Sequence, residues 1–419
     1  MTGRDADIIV VGAGVAGLAC AALLRRNPDL QGLRVLLVDR NAPPRFDPTA
    51  PLRSRVLAVS RAGERLLQHV GGAPLSEHPR AGIYERMHVW HHSVAPTDAR
   101  ALDFDAAEIA EPNLGMIVEN DLLQQLFHER ALALGIATRF CEITGLDFAA
   151  DSVVLTTSDG PLRGGLVIAA DGARSRLRTL AGLGGKQGSF GQLALVGNFR
   201  TERSHQRTAW QRFLGDGTLA LLPLADGCSS IVWATAAANA ERLLALAPDA
   251  LENELTLASA QVLGQLQAVT EVQAVPLGYH AADRYVLPRF ALIGDAAHVV
   301  HPLAGQGANL GLLDAAALVQ CLGEQHRRGE DCGALAGLRN YERWRKSENL
   351  AMAGAMNALQ AVLATGSGSA TRLAVSGLGW VNGAGPLKNF FARRALGLSG
   401  ERPEALFRTQ SAGRSWRRR

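Results

Sequence analysis

The sequence predicts a mixed α/β fold in which a Rossmann-like parallel sheet is interrupted by an inserted antiparallel β-sheet and followed by a C-terminal helical region. Three observations predict it. The chain opens on a continuous apolar run at 8–11, a glycine cluster, an alanine-rich helical stretch to Arg26 and a second apolar run at 34–38. Apolar runs without alternation, joined by a helix, are the pattern of parallel strands buried on both faces. Segments 165–170 and 290–293 repeat the motif of a short apolar strand ending beside an Asp and a Gly, which assigns them to the same sheet. Between them, 192–200, 208–213, 217–222 and 229–234 are strand-like, with turn residues at Gly215, Asp216, Gly217, Asp226 and Gly227, as antiparallel hairpins require. After Gly307 the pattern is helical to about Ala364, and the Gly/Ser stretch 365–369 sets off a last helical piece.

At 419 residues the chain exceeds what one hydrophobic core supports, so more than one packed domain is expected. The expected boundaries are 1–75, 98–182 and 273–345 for a discontinuous cofactor-binding domain, 76–97 and 183–272 for the substrate-binding sheet, and 346–419 for the helical region. Hydrophobic residues make up 47% and charged residues 20%, which excludes a disordered or fibrous chain. The five cysteines include no CxxC pair, so neither a disulfide framework nor a zinc knuckle is suggested, and a reducing cytoplasm fits. Residues 1–7 lack the features of a secretory signal, and the apolar stretch 351–364 is too short to span a bilayer and is broken by Asn357 and Gln360. Net charge is only +4, with basic residues gathered at Arg414, Arg417, Arg418 and Arg419. This reads as a solvated end and not a nucleic-acid groove; weak peripheral attraction to anionic lipid at the inner membrane is the alternative.

The glycine cluster is Gly12-Ala13-Gly14-Val15-Ala16-Gly17, a GxGxxG between a predicted strand and helix, with Asp39 and Arg40 at the end of the next strand. In such a turn the first glycine allows the tight bend, the second lets backbone N–H groups approach a pyrophosphate, and the third lets helix and strand pack closely. Asp39 can accept hydrogen bonds from both adenosine ribose hydroxyls, so FAD or NAD is implied and a 2′-phosphate disfavoured. A second motif is Ala170-Asp171-Gly172-Ala173-Arg174-Ser175 at a strand end, which alone would be an ordinary turn. A third is Gly294-Asp295-Ala296-Ala297-His298, followed by His301-Pro302-Leu303-Ala304-Gly305-Gln306-Gly307-Ala308-Asn309. Asp295 at a strand end can bind a polyol hydroxyl. Gly305 and Gly307 expose N–H groups at the start of a long helix, donors suited to the anionic edge of a reduced flavin. His298 and His301 lack a third ligand and read as loop histidines, so no metal is expected.

The three motifs, in this order and spacing, resemble the class A flavin monooxygenases of the para-hydroxybenzoate hydroxylase type. Arg55-Val56-Leu57-Ala58-Val59-Ser60, Met87-His88-Val89-Trp90, Leu114-Gly115-Met116-Ile117-Val118-Glu119-Asn120 and Tyr341-Glu342-Arg343-Trp344-Arg345-Lys346 are similar to the ubiquinone-biosynthesis hydroxylases of the UbiH, UbiF and UbiI type. The ending Arg394-Ala395-Leu396-Gly397-Leu398 is most similar to UbiI. The resemblance covers about 7–404 and departs at His91-His92, where these proteins often carry an Asp. It implies a para-hydroxybenzoate hydroxylase-like fold holding FAD, with NAD(P)H as transient co-substrate. Oxygen transfer from O2 to a prenylated phenol would run through a flavin C4a-hydroperoxide. Arg55 and Asn120 would approach the ribityl and pyrophosphate region, and Asp171, Gly172 and Arg174 the nicotinamide entry. Pro302 and Gly305 would stand in the flavin's reacting environment. A quinone-biosynthesis complex or homo-oligomer is implied in the same way. The inserted sheet should line the substrate cavity, with Phe213, Leu221, Pro223 and Trp233 as candidates. Two rival readings stay open: a flavin-dependent isoprenoid reductase on the same fold, and a non-catalytic FAD-binding subunit.

Overall fold

In the computed structural model, which describes residues 3–301, 305–364 and 368–406, the predicted elements appear with small changes of boundary. The first sheet runs, in spatial order, Val286–Leu287, Phe290–Leu292, Gly160–Ala169, Ala6–Val11, Val35–Asp39 and Ala137–Phe140. Its central pairs are parallel: Ile8 lies opposite Leu166 on one side and Val35 on the other. The hairpin strands Ile143–Phe148 and Val153–Thr157 extend it antiparallel. Ile8, Ile9, Val10, Leu166, Val167 and Ile168 have no exposed surface, so both faces of these central strands are covered. Val15–Arg26 and Gln306–Arg327 lie together on one of them, and they approach closely because Gly311 has no side chain: a β-carbon there would come within 3.3 Å of Ala16 Cβ.

The second sheet follows the order His298–Val299, Gln273–Ala282, Gly185–Thr201, Ser229–Ala236, Gly217–Pro223, Thr208–Leu214, Arg86–His91 and Leu102–Asp105, with Leu266–Ala268 beside Gly185–Thr201. Strands Leu102–Asp105 and Gln273–Ala282 therefore pair within this sheet, although the expected boundaries put 98–182 and 273–345 with the cofactor domain. The insert is antiparallel except where Thr208–Leu214 meets Arg86–His91 in parallel. Helices Ala237–Leu244 and Pro248–Ala258 pack on its outer face through Leu243 and Leu255. A small sheet of Val56–Ser60, Gly115–Glu119 and Gly82–Tyr84 bridges the two large ones.

Helix Leu335–Leu359 returns beside Gln306–Arg327 and continues through a π-type turn at 360–364; helices Ser369–Gly383 and Gly385–Ala395 close the molecule. Met356 and Leu363 join a cluster with Trp90 and Phe213, while Leu359 is exposed. At the His91-His92 departure, His91 is buried with Nδ1 2.7 Å from Ser93 Oγ, and burial lowers its pKa. The five cysteines are free and buried, and no described helix is long and apolar enough to cross a membrane. The basic residues 414–419 and the linker 365–367 lie outside the described residues.

Candidate functional site

Each glycine of the first turn answers to a different neighbour. Gly12 has φ +112°, and a β-carbon there would lie 2.3 Å from Ala170 O, so the first and second motifs touch through backbone. A β-carbon on Gly17 would lie 1.9 Å from Gly12 O, which is why helix Val15–Arg26 can start so close to its strand. Gly14 is different: a β-carbon there would meet no protein atom within 4 Å, and the residue borders a cavity. Asp39 receives N–H from Ala13 at 2.5 Å and from Asn41 at 3.0 Å, which fixes the carboxylate at the turn's outer side.

That cavity has a volume of about 720 Å³ and runs to the third motif. Of the residues expected at a cofactor, Gly14, Ala16, Arg55, Asn120, Gly172, Gly294, Asp295, Gly305, Gln306, Gly307 and Ala308 border it. Gly12, Ala13, Gly17, Asp39, Arg40, Asp171, Arg174 and Asn309 stand outside that lining. Asn309 turns to strand Val56–Ser60, accepting N–H from Ser60 at 2.9 Å and donating to Ala58 O at 2.8 Å. Asp171 accepts from Ser175 Oγ and Leu177 N at 2.6 and 3.0 Å, which orders the next helical turn, and Arg174 is exposed. Pro302 lies outside the described residues.

Two residues that sequence reasoning missed tie the turns together. Buried Arg178 donates to Ala296 O and Ala173 O at 2.8 and 3.0 Å, joining the second motif to the third. Gln124 borders the cavity and donates to Ala13 O at 2.6 Å. Neither carries a motif signature; only tertiary placement reveals it.

Helix Gln306–Arg327 begins at Gly305, whose φ is +63°, with no side-chain cap, so no side chain covers its first turn. As at Gly14, a β-carbon on Gly307 would meet nothing. Asp295 stands between the two turns. Its residue borders the cavity and is exposed there, yet the protein around the carboxylate raises its pKa by desolvation against the pull of His298 and Arg55. Behind it, Asp314 accepts Gly294 N at 3.1 Å and Arg345 Nε at 2.8 Å and lies 2.5 Å from His298 Nε2. His298 is thus buried against this carboxylate. Although burial alone would raise Asp314, His298 and Arg345 hold it at about 2.

His301 borders the cavity with 1% exposure. Gln192 Oε1 lies 3.1 Å from its Nε2 and also accepts Gln360 Nε2 at 2.9 Å, so this oxygen is an acceptor and His301 Nε2 carries the proton. Burial pushes the imidazole down to about 4.

The far wall is the inner face of the inserted sheet, and here the expected lining is corrected by strand parity. Leu221 and Trp233 face outward, against the helices that carry Leu243 and Leu255. Pro223 is on the same parity as Leu221, whereas Phe213, opposite Thr218, shares the cavity-side parity but is withdrawn into the cluster of Met356 and Leu363. The neighbours Ala220, Leu222, Val232 and Ala234 face the cavity instead. Side chains alternate along a strand, so a choice one residue out moves the whole set to the other face.

The arrangement fits FAD: two glycine turns with vacant β-carbon positions open on one space, with a carboxylate between them and an apolar wall beyond. Comparison with known proteins agrees. The family described as FAD binding domain matches residues 5–352. The ubiquinone hydroxylase UbiL of Rhodospirillum rubrum is 35% identical over 96% of this chain and 92% of its own length. The 3-demethoxyubiquinol 3-hydroxylase of Escherichia coli is 32% identical over 95% of this chain and 100% of its own. The crystal structure of p-nitrophenol 4-monooxygenase PnpA from Pseudomonas putida superposes with a TM-score of 0.72 over 94% of this chain and 99% of that one; at 18% identity it speaks for the fold alone. The chain belongs to the FAD-binding-domain family of flavin-dependent monooxygenases, among the relatives of the ubiquinone-biosynthesis hydroxylases.

Proposed function

We propose that this protein uses NAD(P)H and O2 to hydroxylate the aromatic ring of a prenylated phenol in ubiquinone biosynthesis. The single observation that carries the reading is the continuity of the cavity, which joins the Gly14 turn, Asp295, the Gly305 helix start and an apolar sheet face. FAD, when bound, supplies hydride acceptance and oxygen activation.

The protein's residues bind, orient and exclude water. Gly12 and Ala13 spend their own N–H groups on Val38 O and the Asp39 carboxylate and so shape the turn, while the N–H groups from Gly14 into the start of helix Val15–Arg26 would receive the pyrophosphate and Asp39, next to Arg40, the adenosine ribose. Ala16, Arg55, Asn120, Gly294 and Asp295 flank the ribityl chain. At the start of helix Gln306–Arg327, with Gly305 and Gln306 at its head, the N–H groups of Gly307 and Ala308 would hold negative charge on the bound flavin, and the family resemblance would put Pro302 beside it. Asn309 acts from behind, by fixing strand Val56–Ser60. Asp171, Gly172 and Arg174 border the nicotinamide entry. The sheet's small apolar side chains keep the reacting ring dry. In this reading the first sheet and its helices form the FAD-binding domain, the second sheet the substrate domain, and the residues from 346 onward its closing helices. A quinone-synthesis complex or homo-oligomer and peripheral contact with the inner membrane belong to the same proposal.

The test is anaerobic mixing of the FAD-loaded protein with NADPH, then admission of air with a prenylphenol. Bleaching of the flavin followed by a hydroxylated product supports the hydroxylase. Bleaching with reduction of the prenyl chain supports the reductase, and absence of bleaching the non-catalytic subunit.

A further inference from the structure

The sheet face that closes the cavity is built almost entirely from small apolar side chains. Across the ladders, Gln211 lies opposite Ala220, Ala220 opposite Val232 and Val232 opposite Val196, so these four form one row on that face. In the neighbouring row Thr218 lies opposite Ala234, and Ala234 opposite Ala194. Gln211 and Thr218 are each only 7% exposed and both border the cavity. Neither side chain makes a hydrogen bond to any described residue, whereas most buried polar groups in folded proteins are paired. Neither is among the fully shut-off polar atoms, so both face the cavity and are available to a ligand with a matching group.

The two are diagonal neighbours: Gln211 faces Ala220, and Thr218 is two residues earlier on that strand, on the same side. Such neighbours stand roughly 7–8 Å apart at the backbone, close enough for both side chains to reach one ring. Charge narrows the ligand further. Arg212, the next residue along, points the other way and donates to Ala258 O at 2.7 Å. Among the described lining residues Arg55 is the one formal cation, and it acts on Asp295 at the far side of the cavity. The sheet face therefore offers a substrate one amide and one hydroxyl in an apolar field, with no partner for a carboxylate. An amide both donates and accepts, so it can hold a ring oxygen as hydroxyl or as oxyanion.

We infer that Gln211, with Thr218 beside it, holds the ring hydroxyl of the substrate and thereby sets which ring carbon is presented to the flavin. This rests on the hydroxylase reading above and names the group that orients its substrate. Gln211 stands on the inserted sheet, away in sequence from the glycine turns expected to hold the flavin, so its loss should leave FAD bound.

The test measures binding to the FAD-loaded protein through the perturbation of the flavin spectrum. The probes are a prenylated phenol and the corresponding prenylbenzene, which lacks the hydroxyl. Wild type should bind the phenol about tenfold more tightly, the advantage expected of one buried hydrogen bond. In Gln211→Leu that advantage should fall to near unity, with affinity for the prenylbenzene preserved; Gln211→Met, similar in length, provides the same reading should Leu disturb the strand. Thr218→Val should lower the advantage less. With the phenol as substrate, both Gln211 variants should also yield a broader mixture of hydroxylated isomers. If wild type binds neither probe, the hydroxylase reading fails and this role with it. If wild type prefers the phenol and both Gln211 variants keep the full preference, only the role of Gln211 is overturned.

Discussion

Gly14 and Gly17 are three residues apart and equally small, yet replacing them should do opposite things. A side chain on Gly17 would collide with Gly12 O, so Gly17→Ala should destabilise the fold by about 1–3 kcal/mol or more, through strain between helix and strand. A side chain on Gly14 meets no protein atom. Gly14→Val should therefore leave the thermal midpoint of the FAD-free protein nearly unchanged while abolishing the yellow colour of the purified protein. Stoichiometric FAD in that variant would refute the pyrophosphate assignment. A second residue-scale prediction concerns acid. His301 is neutral in the fold, with its pKa pushed down to about 4 by burial, while in the unfolded chain it titrates near its ordinary 6.5. The unfolded state then binds the extra proton first as pH falls, so stability is full above 6.5 and is lost between 6.5 and about 4. The shift corresponds to roughly 3 kcal/mol. His301→Gln should shallow the decline of urea-unfolding free energy over that window. His91, His205 and His280 are lowered in the same direction, so the decline should not vanish. An unchanged pH profile would mean that folding leaves the pKa of His301 where it is in the unfolded chain.

At the scale of elements, the third motif is held by a buried ionic network that joins three pieces of chain. Asp314 on helix Gln306–Arg327 meets Gly294 at the strand end, His298 four residues on, and Arg345 and Asn349 on helix Leu335–Leu359. Removing its carboxylate leaves Arg345 buried without its counter-charge. Asp314→Ala should accordingly cost about 3–5 kcal/mol in urea unfolding, and Asp314→Asn less, since the amide can still accept from Gly294. A loss under 1 kcal/mol would show that the network is solvated. This network also marks the limit of what the sequence reveals. The glycine turns were legible because each depends on a few adjacent residues, and the parallel sheet was legible because its strands are apolar throughout. Arg345 lies within a segment that carries the family resemblance, but its partner is 31 residues away, and no local pattern connects them. The cavity face of the inserted sheet was misassigned for a related reason. Leu219 and Leu221 face the outer helices and Ala220 and Leu222 the cavity, and composition cannot tell which set faces inward until the neighbouring strands fix the register.

At the scale of the whole molecule, the cavity belongs to no single domain. One side is the pair of glycine turns from the first sheet, another is the inner face of the second sheet, and a further side is helix Gly385–Ala395, which contributes Phe391, Ala392 and Ala395, with Leu396 at its end. That last wall comes from a segment the sequence marks only as helical, so its part in the site follows from packing alone. Ala392 and Leu396 are buried against Ala106, Ile109 and Leu114, which anchors the helix to the chain that follows the second sheet's edge strand. A helix that only stabilised the fold would tolerate a polar side chain with no effect on chemistry beyond a loss of stability. A helix that keeps the reacting space dry would not, because water entering beside the flavin lets reduced cofactor and O2 yield peroxide without product. Ala392→Asp, with Ala392→Ser as the milder change, should therefore retain FAD and continue to oxidise NAD(P)H while the yield of hydroxylated product per NAD(P)H falls severalfold and hydrogen peroxide rises to match. Measuring both products against NAD(P)H consumed distinguishes the cases: undiminished coupling in a yellow, folded Ala392→Asp protein would remove this helix from the wall of the reaction chamber.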